Sequence, residues 1–247
     1  MNVRIWTKDS PHRHIHASRD QPGDDQPGQG RRVSLAALRD ALGMFTVVPL
    51  GARAVVTREE AARAVLWLPV AGVLLTVPAV GVLVLVEAGG HSGARTLLAA
   101  TLAVAVLGAG TGGLHLDGLA DTADGLGSRR PRDQALAIMR RPDAGPLGVV
   151  TLVVVVLVQI SALASLGAGW QAAAALTIAV LTARVAVVLA TGPGSPPARP
   201  EGFGALVAGA TSTRAMAAAV TALVAGVAVA ATVMGGPVLL ARALAAV

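Results

Sequence analysis

The sequence predicts an all-α fold: a polytopic membrane helical bundle of about five full spans plus an N-terminal interfacial or half-inserted helix. Three observations carry that expectation. Of 247 residues, 54% are hydrophobic and 14% charged, with a mean hydropathy of +0.66, whereas a water-soluble domain carries about 25% charged residues. Charged residues and histidines are absent from four long windows, 64–86, 96–114, 144–183 and 215–241, of 23, 19, 40 and 27 residues. A helix crosses the hydrocarbon core with about 20 apolar residues, so the longest window counts twice. Finally, these windows do not alternate polar and apolar residues as membrane strands must.

Composition also excludes other classes. The chain has no Cys, which removes disulfides, thiolate metal sites and thiol nucleophiles. Two Phe, three Trp and no Tyr leave no aromatic platform for single-stranded nucleic acid. The net charge of +6 follows membrane topology instead. With the N-terminus in the cytoplasm, seventeen of the twenty Lys and Arg fall on that side. They are ten up to Arg63, five in the 115–143 loop, and Arg199 and Arg214 in the 193–214 loop. Arg95 and Arg242 lie opposite, and Arg184 lies within a span. That asymmetry is the positive-inside pattern, so the bilayer is the expected partner and nucleic acid is not.

Residues 1–32 form a polar leader rich in Pro, Gly, Asp, Gln and Arg, expected to be disordered. It lacks the apolar core of a secretory signal. His12, His14 and His16 alternate within it and are read as solvated. Residues 33–247 form the membrane-embedded domain. Its first element carries Leu35, Leu38, Leu42 and Phe45 at helical spacing, with Arg39 and Asp40 on the other side. Ser34 is a candidate cap, and Pro49 with Gly51 stops it. The segment is too short and too charged to span, which makes it interfacial. In the spans that follow, Gly167-Ala168-Gly169-Trp170 divides the 40-residue window, and abundant Gly and Ala suit close helix packing in lipid.

The chemistry is concentrated between Gly112 and Gly148. Asp117, Asp121 and Asp124 stand at i, i+4 and i+7, one face of a helix. Three like charges so close are stabilised by a divalent cation, and oxygen-only ligation points to Mg2+ or Mn2+. His115 projects to another side, placed to orient a carboxylate or to bind substrate. Arg129, Arg130, Arg132, Arg140 and Arg141 crowd the same loop, and Asp143 precedes the Gly145-Pro146-Leu147-Gly148 turn. Carboxylates that hold a metal, faced by guanidinium groups, suit a phosphate or pyrophosphate substrate. Arg184 stands within an otherwise apolar span, where a charge costs about 2.5–3.5 kcal/mol on insertion scales. It is expected to face the bundle interior. Arg199-Pro200-Glu201-Gly202-Phe203-Gly204 forms a second basic, glycine-bearing loop.

The run Gly-Gly-Leu-His-Leu-Asp-Gly-Leu-Ala-Asp-Thr-Ala-Asp-Gly over 112–125 resembles the signature of the cobalamin synthase family, the membrane-bound adenosylcobinamide-GDP ribazoletransferases. The resemblance continues through Ala137-Ile138-Met139-Arg140 and Gly145-Pro146-Leu147-Gly148. It is weaker at Phe45-Thr46 with Pro49, Arg184, and Ala198-Arg199 with Gly202 and Gly204. It covers roughly residues 38–235. Two departures stand out. Arg141 occupies a position where relatives often carry Asp, and relatives often carry a basic residue near Asp143. The family's C-terminal Gly-Gly-x-Thr-Gly-Asp stretch has no counterpart after Met234-Gly235-Gly236-Pro237-Val238, so the C-terminus is expected to be shortened or divergent.

The resemblance implies attack by a ribose hydroxyl of α-ribazole, or of its 5′-phosphate, on adenosylcobinamide-GDP. GMP leaves and adenosylcobalamin or its phosphate forms. It implies Mg2+ on Asp117, Asp121 and Asp124, with Arg140 catalytic beside them. His115, Arg141, Asp143, Arg184 and Arg199 would bind substrate. The expected setting is the cell's inner membrane with the active face cytoplasmic. A second copy of the chain, or other corrinoid-pathway enzymes, are the macromolecular partners to consider. Three other readings share some features: a CDP-alcohol phosphotransferase, a membrane prenyltransferase, and a cation transporter lined by the aspartates and Arg184. Polar groups cluster at one membrane face rather than through the depth of several spans, which favours surface chemistry.

Overall fold

A computed structural model describes residues 35–50, 57–90, 92–167 and 169–235. The leader, the Ser34 cap, Gly51, Arg242 and the residues after 235 lie outside the described residues. All regular structure among the described residues is helical: α1 (Leu35–Phe45), α2 (Arg58–Leu66), α3 (Leu68–Ala88), α4 (Gly93–Gly110), α5 (Leu114–Gly127), α6 (Arg132–Ile138), α7 (Pro146–Ser165), α8 (Trp170–Ala190), α9 (Phe203–Val207) and α10 (Thr213–Gly235). Five of them, α3, α4, α7, α8 and α10, are long and apolar enough to cross a membrane. They coincide with the five charge-free stretches, because burying a span's backbone in lipid demands both length and apolarity. The chain is a multi-pass helical membrane protein.

The break inside the longest window falls where the glycines stand. Gly167 and Gly169 take φ of +73° and +107°, open to glycine and costly for other residues, and α8 starts at Trp170. An unexpected element, α2, precedes the first span. Thr57 caps it, accepting from the Glu60 N–H while the Glu60 carboxylate accepts from the Thr57 N–H. Trp67 is at once its C-cap and the N-cap of α3, and Pro69 opens the new helix.

The first helix ends at Phe45, before the Pro49 and Gly51 expected to stop it. Its buried residues are Ala37 and Ala41, Leu38, Leu42 and Phe45 are half-buried, and Leu35 is exposed. Beyond Phe45 the chain leaves the helix, and the Val47 N–H donates to Gly110 O at the end of α4 (2.9 Å). The apolar leucine stripe was placed by spacing alone, but small residues make the closest approach to the bundle.

Hydrogen bonds divide the domain into two ends. At one end lie α1, α2, α5, α6, α9, the ends of α4 and α8, and the starts of α7 and α10. Arg58 donates to Ala205 O and Ala208 O (3.3 and 2.6 Å) at α9. The two phenylalanines of the chain, Phe45 and Phe203, meet edge to face at 5.5 Å, a pairing that contributes about 0.5–1.5 kcal/mol. Thr191 and Thr211 share a hydroxyl hydrogen bond of 2.7 Å, tying the end of α8 to the approach to α10. At the other end, the buried Glu87 carboxylate accepts from the Gly169 N–H (2.8 Å) at the start of α8. The described arginines sit at the first end, except for Arg95 at the second and Arg184 inside α8.

Candidate active site

The acidic run is a helix, α5, entered through a tight turn. Gly112 and Gly113 both take positive φ, +61° and +76°. The Gly113 N–H reaches back to Gly108 O and the Gly112 N–H to Ala109 O, both at 2.9 Å. This paired closure ends α4 and satisfies its last carbonyls. The Gly-Gly pair is therefore what lets a spanning helix stop and a surface helix begin within three residues. It also sets the rotation of α5, and so the direction its carboxylates take.

Asp117 is exposed and Asp121 half-buried. Burial raises the Asp121 pKa above the ordinary carboxylate value, and the charges of Asp117 and Asp124 raise it further, while Arg199 pulls it down. Among the described residues no three Asp, Glu or His side chains converge as a ready-made metal cage.

The third carboxylate has other partners. Asp124 Oδ2 accepts from the Gly145 N–H at 2.6 Å and Oδ1 from the Gly148 N–H at 2.8 Å. Gly145 is the N-cap of α7 and Gly148 lies in its first turn. A carboxylate is stabilised there by unpaired N–H donors and the helix dipole. A Cβ on either glycine would overlap the Asp124 carboxylate, and one on Gly148 would also press within 2.9 Å of Ala120 O. Asp124, expected as a metal ligand, also docks α7 onto α5 through these two bonds. Mg2+ commonly takes one or two carboxylates, with substrate phosphate oxygens and waters completing the shell. Asp117 and Asp121, one turn apart and in need of a cation, fit that demand.

The other charged residues are placed in several ways. Arg140, Arg141 and Asp143 are exposed, and their side chains make no hydrogen bond or ion pair among the described residues. Their loop is nevertheless pinned to α5 at both ends. Met139 packs on Gly125 so tightly that a Cβ there would overlap it, and Gly145 binds Asp124. Arg199 is half-buried, donates to Leu136 O of α6 (3.3 Å) and lies close enough to act on Asp121. Arg132 returns the clasp, donating to Ala198 O at 2.9 Å. Arg129 and Arg130 are exposed.

Arg184 is buried, 6% exposed, six residues before the end of α8. At 1.5 Å per residue that is about 9 Å from the helix end on the basic side and about 6 Å from the middle of the helix. Its guanidinium is hydrogen-bonded to His115 Nε2. Desolvation lowers the His115 pKa below its ordinary value and the Arg184 charge lowers it further. Spacing did not indicate this pair, nor the partner it needs in α3. Gly72 packs against the stem of Arg184, where a Cβ would come within 2.9 Å of Cγ.

The family model described as cobalamin-5-phosphate synthase matches residues 37–247. The chain belongs to the cobalamin-5-phosphate synthase family. Proteins named adenosylcobinamide-GDP ribazoletransferase are similar to it. The one from Frankia casuarinae is 41% identical over 181 residues, covering 71% of this chain and 65% of the relative. The one from Bradyrhizobium diazoefficiens is 41% identical over 188 residues, covering 76% and 70%. The one from Pseudomonas aeruginosa is 39% identical over 188 residues, covering 72% and 70%. The chain thus spans about two thirds of the length of these relatives. No solved structure matches it. Family membership decides against the prenyltransferase, CDP-alcohol phosphotransferase and transporter readings.

Proposed function

We propose that this cobalamin-5-phosphate synthase family member is an adenosylcobinamide-GDP ribazoletransferase acting at the cytoplasmic face of the cell membrane. The observation that carries the reading is the electrostatic state of α5. Asp121 is held above the ordinary carboxylate pKa by burial first and then by the charges of Asp117 and Asp124, with Arg199 as the opposing charge, beside a loop bearing the exposed Arg140 and Arg141. A divalent cation and an anionic phosphate ester complete such a face.

Asp117 and Asp121 hold Mg2+, which when bound neutralises phosphoryl oxygens. Arg140 and Arg184 grip the pyrophosphate and stabilise the departing GMP, and Arg141 and Arg199 extend the anion site. A ribose hydroxyl of α-ribazole, or of its 5′-phosphate, forms a bond to the phosphorus on the cobinamide side. The bond from that phosphorus to the bridging oxygen breaks, and GMP leaves with that oxygen. A carboxylate of the acidic face takes the hydroxyl proton. Adenosylcobalamin or its phosphate results. The weight of arginines at this end of the bundle supports a cytoplasmic orientation.

The test is GMP release by the chain in proteoliposomes. Release is expected only when adenosylcobinamide-GDP, α-ribazole and Mg2+ are all present. Folded protein that releases none would overturn the assignment.

A further inference from the structure

We propose that His115 is a positioning residue whose work is to hold the Arg184 guanidinium, with Gly72 providing the space through which that side chain passes. The inference rests on the ribazoletransferase reading for what Arg184 grips, but the arrangement is geometric. Arginine has five N–H donors and no acceptor. The bond between Arg184 Nη1 and His115 Nε2 therefore requires an unprotonated Nε2. In a neutral ring the proton then stands on Nδ1, and the lone pair of Nε2 is already engaged. His115 is not left with a ring nitrogen free to accept a proton from substrate or to ligate a metal.

Arg184 in turn needs such a partner. It is 6% exposed in an apolar helix, and no carboxylate pairs with it among the described residues. A carboxylate would neutralise the charge that an anionic substrate requires. A neutral imidazole orients the guanidinium and leaves its charge intact. The three elements meet only in the folded chain: α3 contributes the missing Cβ of Gly72, α8 the arginine, and α5 the imidazole.

The test compares His115→Ala, His115→Gln, Arg184→Met and the double variant His115→Ala/Arg184→Met in the full chain. Initial rates of GMP release are measured against adenosylcobinamide-GDP concentration. Positioning predicts that each of His115→Ala and Arg184→Met loses about tenfold or more in kcat/KM, and that the double variant falls no further than Arg184→Met alone. His115→Gln, whose side-chain carbonyl accepts the same bond, recovers most of what alanine loses. Losses that multiply in the double variant would overturn the proposal, because His115 would then act by itself.

A second readout needs no turnover. In 15N-histidine spectra, with His115 assigned by its disappearance in His115→Gln, the ring is expected as the Nδ1–H tautomer, and that signature is lost in Arg184→Met. Active protein whose His115 carries its proton on Nε2 would overturn the pair alone. Protein that shows the expected tautomer but releases no GMP would overturn the transferase reading and leave the pair standing.

Discussion

Asp124 shows how one side chain of a motif can also tie together distant parts of the chain. Spacing places it with Asp117 and Asp121, yet its partners stand 21 and 24 residues further on. No local pattern carries that information, although Gly145 and Gly148 are the traces it leaves, since only glycine admits the carboxylate at both places. Asp124→Asn keeps the shape and removes the charge. An amide oxygen can accept one of the two bonds, but its NH2 then faces the other N–H donor. The expected cost is about 1–2 kcal/mol of stability, measured by denaturant unfolding in detergent. Gly148→Ala is expected to cost about 1–3 kcal/mol through overlap with that carboxylate and with Ala120 O. Wild-type stability in both variants would show that Asp124 does not dock α7.

Among the elements, the spans were legible because a membrane helix announces itself by length and apolarity alone. The α5 helix was legible from its i, i+4, i+7 carboxylates, and Gly112-Gly113 marked its beginning. Which side of α1 meets the bundle was not legible from that spacing: Ala37 and Ala41 are its buried residues, because small residues let backbones approach closely. The helix α2 carried a readable start, Thr57 with Glu60 three residues on, hidden by the apolar window that begins at Ala64. Clasps such as Arg132 to Ala198 O and Arg199 to Leu136 O were not legible. They join segments more than 60 residues apart through backbone carbonyls, which every sequence position possesses. Arg199 was expected to bind substrate; its bond to α6 now explains how its charge is kept beside Asp121.

For the molecule as a whole, the bundle has a basic end that carries the acidic face and a second end where Glu87 of α3 binds the Gly169 N–H at the start of α8. The small exposed faces of ordinary soluble proteins are reversed here. No residue from Thr213 to Ala230 in α10 is buried against the chain, as suits a helix that meets lipid. The absence of Cys makes orientation directly measurable. Arg130→Cys, between α5 and α6, is expected to be labelled by an impermeant thiol reagent in inverted vesicles and protected in intact cells. Ala94→Cys, at the start of α4, is expected to behave in the opposite way. The reverse pattern would place the acidic face outside the cell. At this end of the molecule Asp117 and Asp121 are the proposed cation site on which transfer would depend. The most direct measurement is GMP release by Asp121→Asn beside the wild type at saturating Mg2+, with unfolding curves showing both to be folded. Turnover is expected to fall by about a hundredfold or more, with stability held within about 0.5 kcal/mol. Turnover at the wild-type rate in Asp121→Asn would contradict the proposed site.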